Sequence, residues 1–242
     1  MPGYLTKQER VAVAGAADLT IRSLLDRQQY CDPLGEADAQ GISSAAWPLF
    51  GLLWPSGAHL AARLAKRPVR ASERILEVGC GLALPSIVAH RLGADVTASD
   101  CHPLAAPFLR ENLRLNGLPP MKYLRGNWAT EKLAKLRPRT LGSRRVHGRY
   151  DLIVGSDLLY ERDEYSTLSG FIGRHAKPVA EVWIVDPDRG NRPAFNRQML
   201  ALGFALSEEK LSFAVAAPAA PAYKGRVLVY RRADAALNPA RT

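Results

Sequence analysis

Cysteine is scarce in this 242-residue chain: Cys31, Cys80 and Cys101 are the whole complement. They form no CxxC pair, and no histidine stands near them at zinc-finger spacing. That excludes a disulfide framework and a zinc finger, and the expectation is a reducing, cytoplasmic setting with no structural metal. The opening residues Met1-Pro2-Gly3-Tyr4 lack a basic segment followed by an apolar one, so no secretory signal is expected. Uninterrupted apolar runs are missing too. The stretch from Gly41 to Ala62 has no Lys, Arg, Asp or Glu and is long enough for a bilayer. Ser43, Ser44, Pro48, Pro55, Ser56, Gly57 and His59 break it up, so no membrane span is expected. Repeats at spacings of about 20–50 residues are also absent.

What is present is ordinary globular material, 47% apolar and 23% charged, enough for one large domain. From Arg74 onward, strand and helix alternate. Strands are predicted at 74–78, 95–99, 121–125, 150–155 and 180–185. The helix opened by Pro85 stops at Gly93, and the one opened by Pro103 stops at Asn116-Gly117, as prolines at helix starts and glycines past helix ends require. Further helices are predicted at about 57–66, 163–176 and 193–201. Two strands, 204–213 and 225–231, then follow with only a Pro/Ala loop between them. The pattern predicts an α/β fold: a doubly wound, mostly parallel sheet closed by a C-terminal antiparallel hairpin. Residues 18–27 fit strand and helix templates alike, and Thr20-Ile21 tips them to strand.

The chemistry-bearing residues begin at Glu77-Val78-Gly79-Cys80-Gly81, between a strand and a helix. Two glycines there let backbone approach a ligand where a Cβ would clash. A dinucleotide fingerprint needs a third glycine, and Leu84 stands at its place. Glu77 precedes the glycines, and Asp100 ends the next strand, where a carboxylate can grip ribose hydroxyls. An acid at 77 suits a cationic group better than a pyrophosphate, so the pattern points to an adenosine carrying a cation.

Over about residues 47–231 the chain resembles the seven-β-strand S-adenosylmethionine-dependent methyltransferases, a Rossmann-like fold. Ala83 replaces the third glycine of that family's ExGxGxG pattern. The resemblance implies that the domain spans 47–242 and that 1–46 is an N-terminal arm covering the cofactor. It implies that Glu77, Gly79, Gly81 and Asp100 hold S-adenosylmethionine, with Asn127 and Trp128 of Gly126-Asn127-Trp128 beside the adenine and Trp54 and Ser156 lining the site. Asp157-Leu158-Leu159-Tyr160 leaves the fourth strand without the Asn/Asp-Pro-Pro-aromatic motif of the DNA and glutamine enzymes. It is similar to the protein-lysine branch, as are Leu53-Trp54-Pro55-Ser56-Gly57 and Asp186-Pro187-Asp188-Arg189, where that branch has Asp-Pro-Gly-Arg. The resemblance thus implies a protein substrate, with Asp157 and Tyr160 handling its lysine. An RNA or small-molecule amine methyltransferase and a non-catalytic binding module stay open as alternatives. No histidine triad is visible, and Cys80 and Cys101 read as small packing residues.

Charge remains. Lys and Arg total 33 against 23 Asp and Glu, a net of +10. Residues 131–149 hold seven cations against Glu131, and residues 63–74 hold five against Glu73, so these two segments account for all of it. Both lead into strands that are neighbours in the expected sheet. The expectation is a basic patch at the edge away from the cofactor, and nucleic acid is not favoured as a partner.

Overall fold

A computed structural model describes residues 3–128, 145–163, 165–213 and 223–233. An N-terminal hairpin, β1 (Thr6–Val11) and β2 (Leu19–Leu24), precedes two short 3-10 segments at Asp38–Gln40 and Trp47–Gly51. The remainder runs α1 (Pro55–Ala65), β3 (Arg74–Val78), α2 (Leu84–Arg91), β4 (Asp95–Asp100), α3 (Ala105–Leu115), β5 (Lys122–Arg125), β6 (Tyr150–Ser156), α4 (Thr167–His175), β7 (Ala176–Asp186), α5 (Arg192–Ala201), β8 (Ala205–Phe213) and β9 (Tyr223–Arg232). The strand predicted around Thr20-Ile21 is β2, while β1 carries too little apolar alternation to be seen in the sequence. No described helix is long and apolar enough to cross a membrane.

The main sheet has seven strands in the order β5-β4-β3-β6-β7-β9-β8. The first five are parallel, and β9 is antiparallel to both of its neighbours. The C-terminal hairpin is therefore present, with its second strand inserted beside β7 and its first at the sheet edge. Side chains alternate across the sheet with period two. Ile75, Leu152, Val154, Trp183, Val185, Val227 and Val229 pack on one face with Leu60 and Leu64 of α1. Leu76, Val78, Ile153, Val182, Ile184, Leu228 and Tyr230 pack on the other with Phe171 and Ile172 of α4 and Phe195 and Met199 of α5. Helix stops occur where the sequence placed them, with Gly93 at φ +87° and Gly117 at φ +63°.

The first 46 residues share a core with the rest. Leu19, Ile21, Leu24 and Trp47 pack against Ile87 and Val88 of α2 and Phe108, Leu109 and Leu113 of α3. The free edge of β2 is closed by side chains instead of another strand. Asn116 accepts from the Thr20 N–H at 2.9 Å and donates to the Thr20 carbonyl at 2.8 Å. Asn112, one turn earlier on α3, accepts from the Arg22 N–H at 2.8 Å and donates to the Arg22 carbonyl at 3.3 Å. Two amides at i, i+4 thus stand in for a neighbouring strand, because a buried backbone edge has to find partners.

The basic segments divide on inspection. In 63–74, Arg63 pairs with Glu209 at 2.7 Å, and Arg67 and Arg70 pair with Glu73. Arg63 and Arg67 both lie over the Trp183 ring, at 5.0 and 5.5 Å. These cations clamp α1 to the sheet. In the other segment Arg145 bridges Arg125, which is level with Asp100 at the carboxyl edge of the sheet, so Arg145 stands away from the amino edge where it was expected. Residues 129–144, with most of that charge, lie outside the described residues.

Asn112 is fully buried, so Asn112→Ala leaves both Arg22 backbone groups unpaired. A loss of about 2 kcal/mol is expected, lowering Tm by roughly 4–8 °C in thermal unfolding. An unchanged Tm would show that the amide ladder does not hold the hairpin.

Candidate active site

A cleft of about 640 Å³ opens at the carboxyl edge of the sheet, beside the point where β3 and β6 are neighbours. The helices that follow these two strands pack on opposite faces, which is where doubly wound sheets hold small ligands. Trp54, Gly79, Gly81, Asp100, Asn127, Trp128, Ser156, Asp157 and Tyr160 all line it. Glu77 alone among the sequence candidates is off the wall. It is 1% exposed, beneath the glycine turn.

The turn is shaped by left-handed residues. Gly79 has φ +60° and Gly81 φ +51°, and Ala83, at the place of the family's third glycine, has φ +59°. A Cβ on Gly81 would stand 2.8 Å from the Phe50 carbonyl oxygen, so only glycine lets the turn pass under the 3-10 segment. Asp100 fixes the turn from the next strand. Its Oδ2 accepts from the Gly81 N–H and its Oδ1 from the His102 N–H, each at 2.8 Å. Burial pushes its pKa up, while these N–H donors oppose the rise.

Glu77 works from below. Its Oε2 accepts from the Ser86 N–H at 2.9 Å and takes a short bond from the Ser86 hydroxyl, both in the first turn of α2. It therefore ties strand to helix and holds the turn between them.

Asp157, the first residue after β6, has φ +57°, a left-handed conformation that costs a non-glycine residue about 1–2 kcal/mol. Two contacts enforce it. Its N–H donates to the Val185 carbonyl at 3.0 Å. The next side chain, Leu158, fills the space left by two glycines: a Cβ on Gly79 would lie 2.5 Å from it, and one on Gly155 would overlap it. The Asp157 Oδ1 pairs with Arg189 Nη2 at 3.0 Å, while Oδ2 is buried without a hydrogen-bond partner among the described residues. Burial raises its pKa, and the Ser56 hydroxyl and the Arg189 charge pull the other way. Tyr160 is half exposed at the mouth, and burial of its hydroxyl end, with Glu161 nearby, pushes it up to about 12.

Some wall residues carry little or no signal in the sequence. Arg189 is marked there only as part of Asp186-Pro187-Asp188-Arg189. It lies 5.7 Å from the Trp54 ring centroid, and Arg27 of the N-terminal region lies 5.9 Å from it. Trp54 itself is anchored by its Nε1–H on the Leu49 carbonyl at 2.9 Å. The Asn127 amide donates to the Gln40 carbonyl at 3.2 Å, so the first 46 residues help wall the cleft. His102 stacks on Phe50 at 3.7 Å. Its Nδ1 accepts from the Leu104 N–H, which puts the neutral ring's proton on a buried Nε2 that has no partner among the described residues. Burial holds its pKa down at about 3. Nothing local marks Arg27 or Gln40. His102 had a weak signal, its place two residues after Asp100.

Glu77 yields a pH prediction. Burial lifts it from the ordinary 4.5 to about 8, so the folded state binds its proton more tightly than the unfolded chain does. Stability from that proton is fully present below pH 4.5 and is lost as pH rises toward 8. Glu77→Gln, which cannot ionise, should flatten the fall in Tm between those limits. An identical pH profile for both proteins would show that Glu77 is charged in the fold.

The beta-subunit electron transfer flavoprotein lysine methyltransferase of Rattus norvegicus is 29% identical over 167 residues, 67% of this chain and 58% of that protein. A histone-arginine methyltransferase of Homo sapiens is 28% identical over 138 residues, 54% of this chain and 67% of that protein. The chain thus spans a little over half the length of the first of these relatives. In fold it is similar to the magnesium protoporphyrin IX methyltransferase of Synechocystis PCC 6803, solved with bound SAM, with a TM-score of 0.53 and 17% identity over 74% of this chain and 78% of that one. A family model described as lysine methyltransferase matches residues 48–193, more than half of the sequence, and the chain belongs to that family.

Proposed function

We propose that this chain is an S-adenosylmethionine-dependent methyltransferase whose acceptor is the ε-amine of a protein lysine. The observation that carries the acceptor reading is Asp157: a strained, buried carboxylate on the cleft wall, with one oxygen paired and one unspent. The residues present also fit the cofactor. The cleft is of nucleoside size, the turn at Gly79 and Gly81 exposes backbone to it, and Asp100 retains acceptor capacity beyond its two N–H bonds. Asp100 would hold the ribose hydroxyls, Asn127 and Trp128 the adenine, and Gly79 and Gly81 the methionine end. Bound there, S-adenosylmethionine supplies a methyl group on a cationic sulfonium.

The protein's own task is to present a neutral amine in line with that methyl. A lysine of pKa about 10.4 is neutral only about once in 2,500 at pH 7, roughly 4.6 kcal/mol against reaction. The Asp157 carboxylate on the cleft wall draws the incoming ammonium and sets the nitrogen's position. Arg189 already offsets part of the carboxylate's charge, which limits how far Asp157 stabilises the protonated amine. Tyr160 keeps its proton at neutral pH and offers a ring face and a hydroxyl at the mouth. Positioning of this kind supplies rate without a strong base.

The test combines calorimetry with S-adenosylmethionine and labelled-cofactor transfer to a lysate, digested afterwards with protease or nuclease. Label lost to protease and mapped to lysine supports the reading. Label lost only to nuclease overturns the acceptor, and absence of cofactor binding overturns the whole. Asp157→Asn is expected to keep the cofactor Kd within about threefold and to lower kcat/KM for the acceptor about 100-fold, or ~2.7 kcal/mol. A variant with equal losses in both would place Asp157 in cofactor binding instead.

A further inference from the structure

Arg27 stands in the turn after β2, outside the stretch 48–193 that the family model matches, yet it lines the cleft. That turn is tied down. Asp26 Oδ1 accepts from the Gln28 N–H at 2.8 Å and from the Gln29 amide at 3.1 Å, and Gln29 Oε1 accepts from the Leu5 N–H at 2.8 Å. Leu24, the last residue of β2, fills the space beside Gly51, where a Cβ would stand 2.5 Å from it. The Arg27 guanidinium carbon lies 5.9 Å from the Trp54 ring centroid, within cation–π range. Trp54 is anchored on the Leu49 carbonyl, and the next carbonyl, that of Phe50, covers Gly81. A short path of contacts thus leads from the glycine turn to Arg27.

The charges on the wall single this residue out. Two arginines line the cleft, Arg27 and Arg189, and Arg189 is already paired with Asp157 at 3.0 Å. Asp100 is committed to backbone N–H groups. Among the described residues, Glu161 pairs with neither arginine, and Arg27 has no ion pair or hydrogen bond, so its N–H donors are left for a ligand. A guanidinium can grip a carboxylate with two parallel bonds. We propose that Arg27 binds the carboxylate at the methionine end of S-adenosylmethionine, which makes the N-terminal region part of the cofactor site. The inference rests on the methyltransferase reading. There Asp100 takes the ribose, Asn127 and Trp128 the adenine, and the glycine turn the methionine end, and the ligand's single carboxylate is left without a cation. Arg27 has the donors to meet it, and Trp54 sets it on the side of the glycine turn.

The experiment is calorimetry on the full chain with S-adenosylmethionine and with its decarboxylated form, which keeps the sulfonium and lacks only the carboxylate. Arg27→Met keeps a long apolar stem against Trp54 and removes the donors. Arg110→Met, at an exposed position on α3 away from the cleft, controls for the loss of one positive charge. The wild type should bind the decarboxylated form about tenfold more weakly than S-adenosylmethionine. Arg27→Met should raise the S-adenosylmethionine Kd about tenfold and leave that of the decarboxylated form within about twofold. Arg27→Lys, which keeps the charge without the fork, should fall between, and Arg110→Met should change neither. An S-adenosylmethionine Kd unmoved in Arg27→Met, or an equal loss for both compounds, would overturn the proposal. With the wild type still binding S-adenosylmethionine, either result leaves the methyltransferase reading standing. A wild type that binds neither compound would overturn both.

Discussion

The Asp100 carboxylate bonds two backbone N–H groups, one in the turn after β3 and one in the loop after β4. That single side chain joins the two loops that form the floor of the cleft. A loop by itself has many conformations and pays entropy to hold one. Here a buried carboxylate converts two loops into one rigid unit, and bonds from a charged acceptor are about twice as strong as neutral ones. Glu77 does the equivalent job underneath, tying β3 to α2 through Ser86. The glycine turn is held from the side and from below, so it can present open backbone to a ligand without sagging.

The opposite wall obeys a different constraint. There the backbone itself is strained at Asp157, and the strain persists because the surroundings over-determine it. Leu158 is wedged against two glycines, the Asp157 N–H is bonded to β7, and the carboxylate is paired with Arg189. The result is a carboxylate that cannot turn away from the cleft. The loop after β7 carries Arg189, whose guanidinium also faces Trp54. Asp188, one residue earlier, is again left-handed at φ +60° and is held by Arg192 and Arg226 at 2.7 and 3.1 Å. A glycine would adopt that conformation at no cost. Here two arginines stabilise an aspartate in it.

A net charge of +10 can signal a polyanionic partner. Resolved by position, part of it is architecture. Arg63 and Arg67 spend their charge on Glu209 and Glu73 and their planes on Trp183. Arg74 donates to the Arg149 carbonyl and covers the Tyr150 ring. Arginine serves here because its flat guanidinium can stack and pair at once.

Local sequence carries the parallel core of the sheet, the helix ends and nine residues of the cleft wall. These are local properties: strand periodicity, proline starts, glycine stops, and side chains that leave the carboxyl ends of successive strands, which the doubly wound topology brings to one edge. It could not determine the role of Glu77, because a carboxylate two residues before a glycine turn points either into the ligand or into the helix behind, and only packing chooses. Nor could it show β1, the Asn112 and Asn116 ladder, Arg27 and Gln40 on the wall, or Tyr223 beside Ser56. Each depends on contacts between segments far apart in the chain. Tyr223 reaches the active-site edge solely because β9 is inserted antiparallel between β7 and β8, and that strand order is a property of the assembled sheet, invisible in any local stretch of residues.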